Sequence, residues 1–293
     1  RGGITRGLMS NSQNSFEAIN EAINKRAGRK LLPSIAVSAS LILLVWGLLA
    51  YFRFGIAILV AVAVVLAIRE ISKAYKSTDI YVSYRSLLLS TVAITMATWF
   101  GGIRGLAITT AISLVCILIG LLRKGPQGFV SSASASTFSL VYLPFLMSFA
   151  ILLARPSNGM AQVMTLIILT GCNDTFGYLV GVLIGKHPMV PTISPKKSWE
   201  GLIGSIIFTA FGGYLAFKYL LDLNPAIGAL VGLLAVITAT TGDLIESSLK
   251  RDFAIKDMGN LLPGHGGVMD RLDSIVLTAP ALWVVLELVK RYL

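Results

Sequence analysis

The residues best suited to chemistry lie in one polar stretch, residues 247–273, which separates two long apolar runs. Gly264, Gly266 and Gly267 surround His265 there, and glycine allows a ligand to approach the main chain closely. The charged side chains of the stretch are Lys250, Arg251, Asp252, Lys256, Asp257, Asp270, Arg271 and Asp273. Carboxylate oxygens bind hard cations, whereas ammonium, guanidinium and backbone N–H groups bind phosphate. The stretch therefore predicts a site for a metal–phosphate substrate.

Helical spacing brings several polar side chains together. Ser247 and Lys250 follow Asp243 by four and seven residues, which places a hydroxyl, a cation and an acid on one helical face. Asp270 and Asp273 lie three residues apart at the start of the last apolar run, again on one face. Acids in the first turn of a helix also have a purely structural explanation, because they interact favourably with the helix dipole.

Asp174 lies inside an apolar run. An ionised carboxylate inside a membrane costs several kcal/mol unless it faces a water-filled cavity or a cation. Asp174 is therefore a candidate metal ligand, and a structural ion pair with a lysine of a neighbouring helix is the alternative. Gly177, Gly181 and Gly185 recur every four residues beyond it and predict close helix packing.

The loop at residues 187–200 provides a candidate anion site. Its three prolines exclude a helix, and Lys196, Lys197 and Ser198 directly precede the seventh apolar run. Free N–H groups at a helix N-terminus, together with two ammonium groups, favour phosphate binding. The alternative is that both lysines only anchor the membrane topology.

The composition is that of an integral membrane protein. The 293 residues are 55% hydrophobic and 13% charged, with a mean hydropathy of +0.78, whereas about a quarter of the residues in a soluble domain are charged. We therefore attribute the net charge of +11 to cytoplasmic loops that contact anionic membrane lipid, and not to nucleic-acid binding.

Nine apolar segments predict an all-α, polytopic integral membrane protein with about nine transmembrane helices. Most runs approach the roughly 20 residues that a helix needs to cross a bilayer, and none alternates as a strand would. The segments are 33–51, 54–69, 86–102, 105–122, 133–154, 160–185, 200–221, 226–248 and 271–292.

The positions of lysine and arginine predict a cytoplasmic N-terminus and a C-terminus outside. With nine helices, this orientation leaves only six of the 25 basic residues outside, namely Arg53, Arg104, Arg155, Lys218, Lys290 and Arg291. Loops 186–199 and 249–270 then face the cytoplasm, and in a bacterial cell the membrane would be the inner (plasma) membrane.

The acidic residues divide the chain into regions. The first 173 residues contain only Glu17, Glu21, Glu70 and Asp79. We interpret residues 31–155 as a transmembrane scaffold and residues 156–293 as the catalytic region. We interpret residues 1–30 as a cytoplasmic N-terminal segment. Phe16, Ile19 and Ile23 recur at helical spacing and favour a helix on the membrane surface. A disordered tail and a non-native extension are the alternatives.

The polar stretch resembles the signature of the phosphatidate cytidylyltransferase family, also called CDP-diacylglycerol synthases. The matching positions are Ser247, Leu249, Lys250, Arg251, Lys256, Asp257, Gly259, Leu262, Pro263, His265, Gly266, Gly267, Val268, Asp270, Arg271, Leu272 and Asp273. Residues 194–201 and the positions Asp174, Tyr178 and Gly181 resemble an upstream region of the same family. The resemblance thus covers residues 170–275.

The resemblance implies that phosphatidic acid from the bilayer attacks the α-phosphorus of CTP, giving CDP-diacylglycerol and pyrophosphate. The lipid phosphate is already an anion near neutral pH, so catalysis would depend mainly on positioning and electrostatics. Mg²⁺ is the implied cofactor, and a second cation is compatible with this many acids. The oligomeric state stays open, with a homodimer among the options.

The resemblance and the charge pattern together give the candidate site residues. We expect the metal ligands to be Asp174, Asp243, Asp270 and Asp273. The candidate catalytic residues are Asp243, Asp270, Lys250, Arg251 and His265, although His265 is equally compatible with a role in shaping its loop. The candidate substrate-binding residues are Lys196, Lys197, Ser198, Ser247, Lys256, Gly266, Gly267 and Arg271.

Two other functions remain as alternatives. One is a different CTP-dependent membrane enzyme, such as a polyprenol kinase or an isoprenoid ether-lipid cytidylyltransferase. The other is an ion-coupled transporter, which predicts charges spread through the helix bundle. The clustering of acids beside basic and glycine-rich loops favours an enzyme.

Overall fold

The structure, a computed structural model, describes residues 31–259, 261 and 266–292. These residues are almost entirely helical, with one two-stranded hairpin. The helices are α1 (Leu31–Tyr51), α2 (Phe54–Lys76), α3 (Tyr84–Leu122), α4 (Phe129–Ala154), α5 (Gly159–Ile184), α6 (Trp199–Leu221), α7 (Pro225–Asp252) and α8 (Met269–Tyr292). The strands β1 (Pro188–Val190) and β2 (Ser194–Ser198) lie between α5 and α6. The surface helix or tail considered for residues 1–30 lies outside the described residues.

Within the described part of the chain, seven helices, α2 to α8, are long and apolar enough to cross a membrane. Large apolar side chains such as Leu89, Phe100 and Val130 are exposed on their outer surfaces, as expected for helices whose apolar length matches a bilayer. The predicted fold class, an all-α polytopic integral membrane protein, is confirmed. The number of nine crossings and the sides of the two termini stay predictions.

The predicted third and fourth segments both belong to the 39-residue helix α3, which is interrupted at Gly102. Gly102 has φ 62° and ψ −146°, a conformation that other residues rarely adopt. A Cβ at Gly105 would collide with the carbonyl oxygen of Ala97, although residues eight apart in a straight helix are separated by about 12 Å. The chain therefore bends sharply at the boundary that the apolar pattern predicted.

Small residues bring α5 and α6 into close contact. A Cβ at Gly177 would collide with Ser205 Oγ, and a Cβ at Gly185 would lie 2.6 Å from Ser198 Oγ. The glycine repeat of α5 therefore packs against the next helix, as its spacing predicted. This contact places Asp174, on α5, close to the N-terminal end of α6.

Residues 187–198 are non-helical, as the prolines predicted, whereas Trp199 and Glu200 already belong to α6. The hairpin that residues 187–198 form was not predicted. β1 and β2 pair antiparallel, with Pro188 opposite Ser198 and Val190 opposite Ser194. Ser198 then caps α6, because its Oγ accepts a hydrogen bond from Gly201 N at 3.1 Å. The hairpin thus places Lys196 and Lys197 directly before the start of α6.

The helices α7 and α8 approach each other closely beside the polar stretch. A Cβ at Gly242 would collide with the carbonyl oxygen of Asp273. The absence of a side chain at residue 242 therefore allows the backbones of α7 and α8 to approach each other beside Asp243 and Asp273. The C-terminal end of α7 also contacts α2, where the rings of Phe253 and Tyr75 pack edge to face with centroids 4.9 Å apart. The scaffold helix α2 therefore extends to the region that carries the candidate site.

Candidate active site

A polar cavity of about 480 Å³ lies between α5, β2, α6, α7 and α8. Nine of the predicted site residues line it, namely Asp174, Lys196, Lys197, Ser198, Asp243, Lys250, Asp270, Arg271 and Asp273. An apolar part of the wall is formed by Tyr178, Val182, Met189 and Leu202. A second cavity of about 530 Å³ lies along the last turns of α8 and contains none of the predicted site residues. The charged cavity suits a ligand that carries both phosphate and hydrocarbon.

Three carboxylates from three helices meet at the hydroxyl of Ser274. Ser274 Oγ lies 2.8 Å from Asp174 Oδ2, 3.2 Å from Asp243 Oδ1 and 3.3 Å from Asp273 Oδ1. We call these four residues the Ser274 cluster. A hydroxyl carries one hydrogen and can donate to only one acceptor at a time. At any moment the hydroxyl therefore leaves two of the three carboxyl groups without its hydrogen.

Lys197 is bonded directly to the Ser274 cluster. Its Nζ donates to Asp243 Oδ2 at 2.8 Å and to the carbonyl oxygen of Thr240 at 3.5 Å. The side chains of Lys197 and Asp243 are 26% and 22% exposed, so the pair is partly desolvated. Lys196 also lines the cavity but is exposed. The two adjacent lysines therefore have different surroundings, one in the acid cluster and one facing the open cavity.

Asp270 belongs to a separate group of contacts. Its Oδ1 accepts from Lys250 Nζ at 2.9 Å. Its Oδ2 accepts from Gly267 N at 2.6 Å and from Met258 N at 3.3 Å. Both oxygens of Asp270 are therefore engaged, and this acid holds the loop that precedes α8 against the end of α7.

Lys250 lies between two buried acids. Besides Asp270, its Nζ donates to Glu246 Oε2 at 2.5 Å. The side chains of Glu246 and Asp270 are only 2% and 5% exposed, and that of Lys250 is 17% exposed. An ammonium group has three donors, so Lys250 keeps one N–H for a ligand in the cavity that it lines.

The hairpin that carries the two cavity lysines is held at its base and at its turn. At the base, Glu200 Oε2 accepts from Lys186 N at 3.1 Å and from His187 N at 3.3 Å, and Glu200 Oε1 lies 2.6 Å from His187 Nδ1. At the turn, Arg251 Nε donates to the carbonyl oxygen of Ile193 at 3.2 Å. Arg251 therefore fixes the hairpin to the end of α7.

Five predicted site residues do not line the cavity, namely Ser247, Arg251, Lys256, Gly266 and Gly267. Ser247 shares its helix with Asp243 and Lys250, yet only the acid and the lysine reach the cavity wall. His265 lies outside the described residues. The roles predicted for these six residues stay predictions.

Sequence reasoning missed three residues that organise the site: Glu70, Glu246 and Ser274. Glu246 precedes Lys250 by four residues on α7, so helical spacing could have paired them. Ser274 carried no distinct signal, because a single serine is common in a membrane helix. Glu70 lies on α2 and accepts hydrogen bonds from Val268 N and Met269 N. No local pattern connects it to residues almost 200 positions away.

The chemistry of the Ser274 cluster fits a hard divalent cation. Carboxylate oxygens are the ligands that Mg²⁺ prefers, and Asp174, Asp243 and Asp273 all reach one atom. Within the described residues, no group of three or more His, Cys, Asp or Glu side chains has the arrangement of a metal site. The convergence of three carboxyl groups on one atom is the observation that favours a cation there.

Known proteins similar to this chain include several phosphatidate cytidylyltransferases. The model of a family described as the cytidylyltransferase family matches residues 34–289. A phosphatidate cytidylyltransferase of Mycobacterium bovis is 41% identical over 277 residues, which cover 90% of this chain and 90% of that protein. One of Mycobacterium leprae is 34% identical over an alignment of 302 positions, which covers 98% of this chain and 94% of that protein. One of Staphylococcus aureus is 34% identical over 179 residues, 60% of this chain and 67% of that protein.

Proposed function

The chain belongs to the cytidylyltransferase family, and we propose from this premise that it transfers CMP from CTP to phosphatidic acid. The products are CDP-diacylglycerol and pyrophosphate, which makes the protein a nucleotidyltransferase of phospholipid synthesis. The relatives that span most of the chain bear the name phosphatidate cytidylyltransferase. The seven apolar helices make it an integral membrane enzyme.

One structural observation supports this function best, namely that cations, acids and apolar side chains line the same cavity. A transporter would need charged groups along a path through the bundle. Here the charged lining is concentrated where the hairpin, the end of α7 and the start of α8 meet. The apolar wall at Tyr178, Val182 and Leu202 would accept the glycerol end of a lipid, and the charged wall would accept its phosphate.

We assign the binding of phosphate groups to the cations that line the cavity. Lys196 is exposed there, and Lys250 has one N–H beyond its two acidic partners. Arg271 lines the same wall, and its planar group suits a phosphate that presents two oxygens. These side chains would hold the triphosphate of CTP with its α-phosphorus toward the Ser274 cluster.

Mg²⁺ is the proposed cofactor, held by Asp174, Asp243 and Asp273. When bound, it supplies Lewis-acid chemistry and neutralises charge on the phosphate oxygens. The protein contributes three oxygen donors from three different helices, so the site depends on how α5, α7 and α8 are packed. We assign Asp270 a different role, because Lys250 and two backbone N–H groups already engage its oxygens.

In the proposed reaction, an oxygen of the lipid phosphate forms a bond to the α-phosphorus of CTP. The bond from that phosphorus to the bridging oxygen of the β-phosphate breaks, and pyrophosphate leaves. The attacking oxygen is already anionic near neutral pH, so no residue has to remove a proton. Lys197 holds Asp243 in place, and the other cavity cations stabilise the charge that develops on pyrophosphate.

We place this chemistry at the cytoplasmic face of the membrane, which in bacteria is the inner membrane. The two segments that bring most of the basic cavity residues, the hairpin and the end of α7, belong to the loops predicted to face the cytoplasm. CTP is a cytoplasmic nucleotide, so this orientation gives it direct access.

Transfer of radioactive label from CTP to lipid tests the function. Purified protein in detergent is given phosphatidic acid or a polyprenol, with CTP labelled at either the α- or the γ-phosphorus. The α-label should enter lipid only with phosphatidic acid, with release of pyrophosphate. A polyprenol kinase would instead transfer the γ-label to the polyprenol. Absence of α-label from lipid under all conditions would refute the proposal.

Two matched variants connect the reaction to the cavity. Asp243→Asn removes one carboxylate of the Ser274 cluster and should abolish label transfer. Asp222→Asn makes the same chemical change at an exposed residue between α6 and α7, at the opposite end of α7 from Asp243. Asp222 has φ 53°, which asparagine tolerates well, so this control should retain full activity.

A further inference from the structure

Glu70 is a buried acid of the scaffold helix α2 that contacts the start of α8. It is 6% exposed. One carboxylate oxygen accepts from Val268 N at 3.0 Å, and the other accepts from Met269 N at 2.9 Å. The first N–H groups of a helix have no partner within the helix, and a carboxylate there is favoured by the helix dipole. Glu70 therefore acts as a cap for α8 that comes from a distant part of the chain.

Two glycines allow the carboxylate of Glu70 to approach the main chain. A Cβ at Gly259 would collide with Glu70 Oε1, and a Cβ at Gly267 would lie 2.5 Å from Glu70 Oε2. Gly259 follows the end of α7, and Gly267 lies two residues before the start of α8. We call residues 259–267 the connecting segment. One side chain thus touches both ends of the connecting segment.

Three consecutive backbone N–H groups at the start of α8 donate hydrogen bonds to Glu70 and Asp270. Gly267 N donates to Asp270, whereas Val268 N and Met269 N donate to Glu70. The N-terminus of α8 is therefore occupied by two carboxylates of the protein. These three N–H groups therefore already have acceptors, and Gly267 lies outside the cavity lining, so we expect the side chains of the cavity to provide most of the phosphate contacts.

The contact with Glu70 fixes the helix that carries half of the Ser274 cluster. Asp273 and Ser274 follow Met269 by about one helical turn. Hydrogen bonds to two successive N–H groups fix the position of this first turn along the helix axis and its rotation about that axis. A displacement of about 1 Å in a catalytic constellation can cost about 100-fold in rate, so the orientation of α8 matters for the position of both side chains.

We propose that Glu70 is a positioning residue of the active site, which sets α8 so that Asp273 and Ser274 meet Asp174 and Asp243. Glu70 does not line the cavity and acts only through the backbone of Val268 and Met269. The consequence for activity rests on the proposed function, whereas the contact itself does not. The N-terminal region then contributes directly to the geometry of the site.

Glu70→Gln is the diagnostic variant. A glutamine side chain accepts through one oxygen only, and its NH₂ group would oppose one of the two backbone donors. Glu70→Asp keeps both acceptors on a shorter side chain and serves as the conservative variant. Glu287→Gln is the matched control, because Glu287 is exposed on the last turns of α8 and pairs only with Lys290 among the described residues.

Hydrogen exchange of the metal-free protein in detergent gives the first readout. In the wild type, the amides of Val268 and Met269 should be protected. Glu70→Gln should accelerate their exchange about tenfold or more, Glu70→Asp should have a smaller effect, and Glu287→Gln should have none. Unprotected amides in the wild type, or unchanged exchange in Glu70→Gln, would overturn the proposal even if the enzyme is fully active.

The Mg²⁺ dependence of CDP-diacylglycerol synthesis gives the second readout. Glu70→Gln should raise the half-saturating Mg²⁺ concentration about tenfold and lower kcat, with partial recovery in Glu70→Asp. A role in stability alone would reduce the fraction of active protein, so kcat would fall with unchanged Mg²⁺ and CTP dependence; that result would also overturn the proposal. If Glu70→Gln does not fold, the proposal is tested by the Mg²⁺ dependence of Glu70→Asp and by the hydrogen exchange of the Val268 and Met269 amides in the wild type and in Glu70→Asp. Lack of activity in the wild type would count against the proposed function and not against this contact.

Discussion

The two neighbouring lysines of the hairpin should respond differently to the same substitution. Lys197 Nζ donates to Asp243 at 2.8 Å, whereas Lys196 is exposed and faces the open cavity. Lys197→Ala should therefore disturb the Ser274 cluster and lower kcat. Lys196→Ala should weaken the binding of the triphosphate and raise KM for CTP, with kcat largely preserved.

The expected size of the Lys197 effect follows from the contact. A hydrogen bond to a charged group contributes about 1.5–3 kcal/mol. About a quarter of each partner's side chain is exposed, and solvent screening reduces this to about 1–2 kcal/mol. Since about 1.4 kcal/mol corresponds to a tenfold change, Lys197→Ala should lower kcat/KM about 5- to 30-fold.

Steady-state synthesis of CDP-diacylglycerol at varied CTP and saturating phosphatidic acid measures both effects. Lys197→Arg and Lys196→Arg are the controls, because arginine keeps the positive charge that orients the membrane helices while it changes the local geometry. Membrane insertion is checked for each variant by the yield of detergent-extracted, monodisperse protein. The Arg variants should show intermediate losses.

Two outcomes would refute this reasoning. If Lys197→Ala keeps kcat/KM within twofold of the wild type, the bond to Asp243 does not support catalysis. If Lys196→Ala and Lys197→Ala lower kcat equally, the different surroundings of the two lysines have no functional meaning. The assignment of phosphate binding would then have to rely on Lys250 and Arg271.

Three further predictions concern other parts of the site. Asp273→Asn should raise the half-saturating Mg²⁺ concentration about tenfold or more, and an unchanged Mg²⁺ titration would remove this residue from the metal site. Arg251→Ala should release the hairpin from its bond to the carbonyl oxygen of Ile193, so trypsin should cleave after the hairpin lysines faster than in the wild type; equal cleavage rates would contradict this role. Gly177→Val places a branched side chain where a Cβ already meets Ser205 Oγ and should destabilise the fold by about 1–3 kcal/mol, which an unaltered thermal midpoint in detergent would disprove.

Apolar runs predicted most helix positions, because the bilayer imposes one simple length requirement. The run 160–185 corresponds to Gly159–Ile184, and the run 271–292 corresponds to Met269–Tyr292. The largest extension is that of α2, which continues to Lys76 although its apolar run ends at residue 69. Hydropathy marks the part of a helix that lipid surrounds, and it does not mark where the hydrogen-bonded helix ends. Glu70 lies in this polar extension.

The acids of the site could be predicted for an electrostatic reason. Asp174 and Asp243 lie in apolar runs of the sequence, where a carboxylate requires a partner, and the structure brings both to Ser274 with Asp273. The contacts of Asp270 with Lys250 and two backbone N–H groups could not be predicted, because the spacing of Asp270 and Asp273 shows only that they share a helical face and not which partners each one meets. Contacts between a side chain and a distant backbone, such as those of Glu70, cannot be predicted from periodic patterns, because they do not depend on the spacing of residues along the sequence.

The bonds of Glu70 also have a consequence for the order in which the protein is assembled. They join α2 to residues 198 and 199 positions later in the chain, and loop closure over such a distance is slow compared with local helix formation. During synthesis, α2 is made long before α8. The hydrogen bonds of Glu70 therefore cannot form until Val268 and Met269 have been synthesised. Among the described helices that carry residues of the proposed site, α8 is synthesised after α5, α6 and α7, so its docking completes the site. A chain in which α8 has not docked lacks Asp273 and Ser274 at the proposed site, so enzymatic turnover would report the docking of this helix.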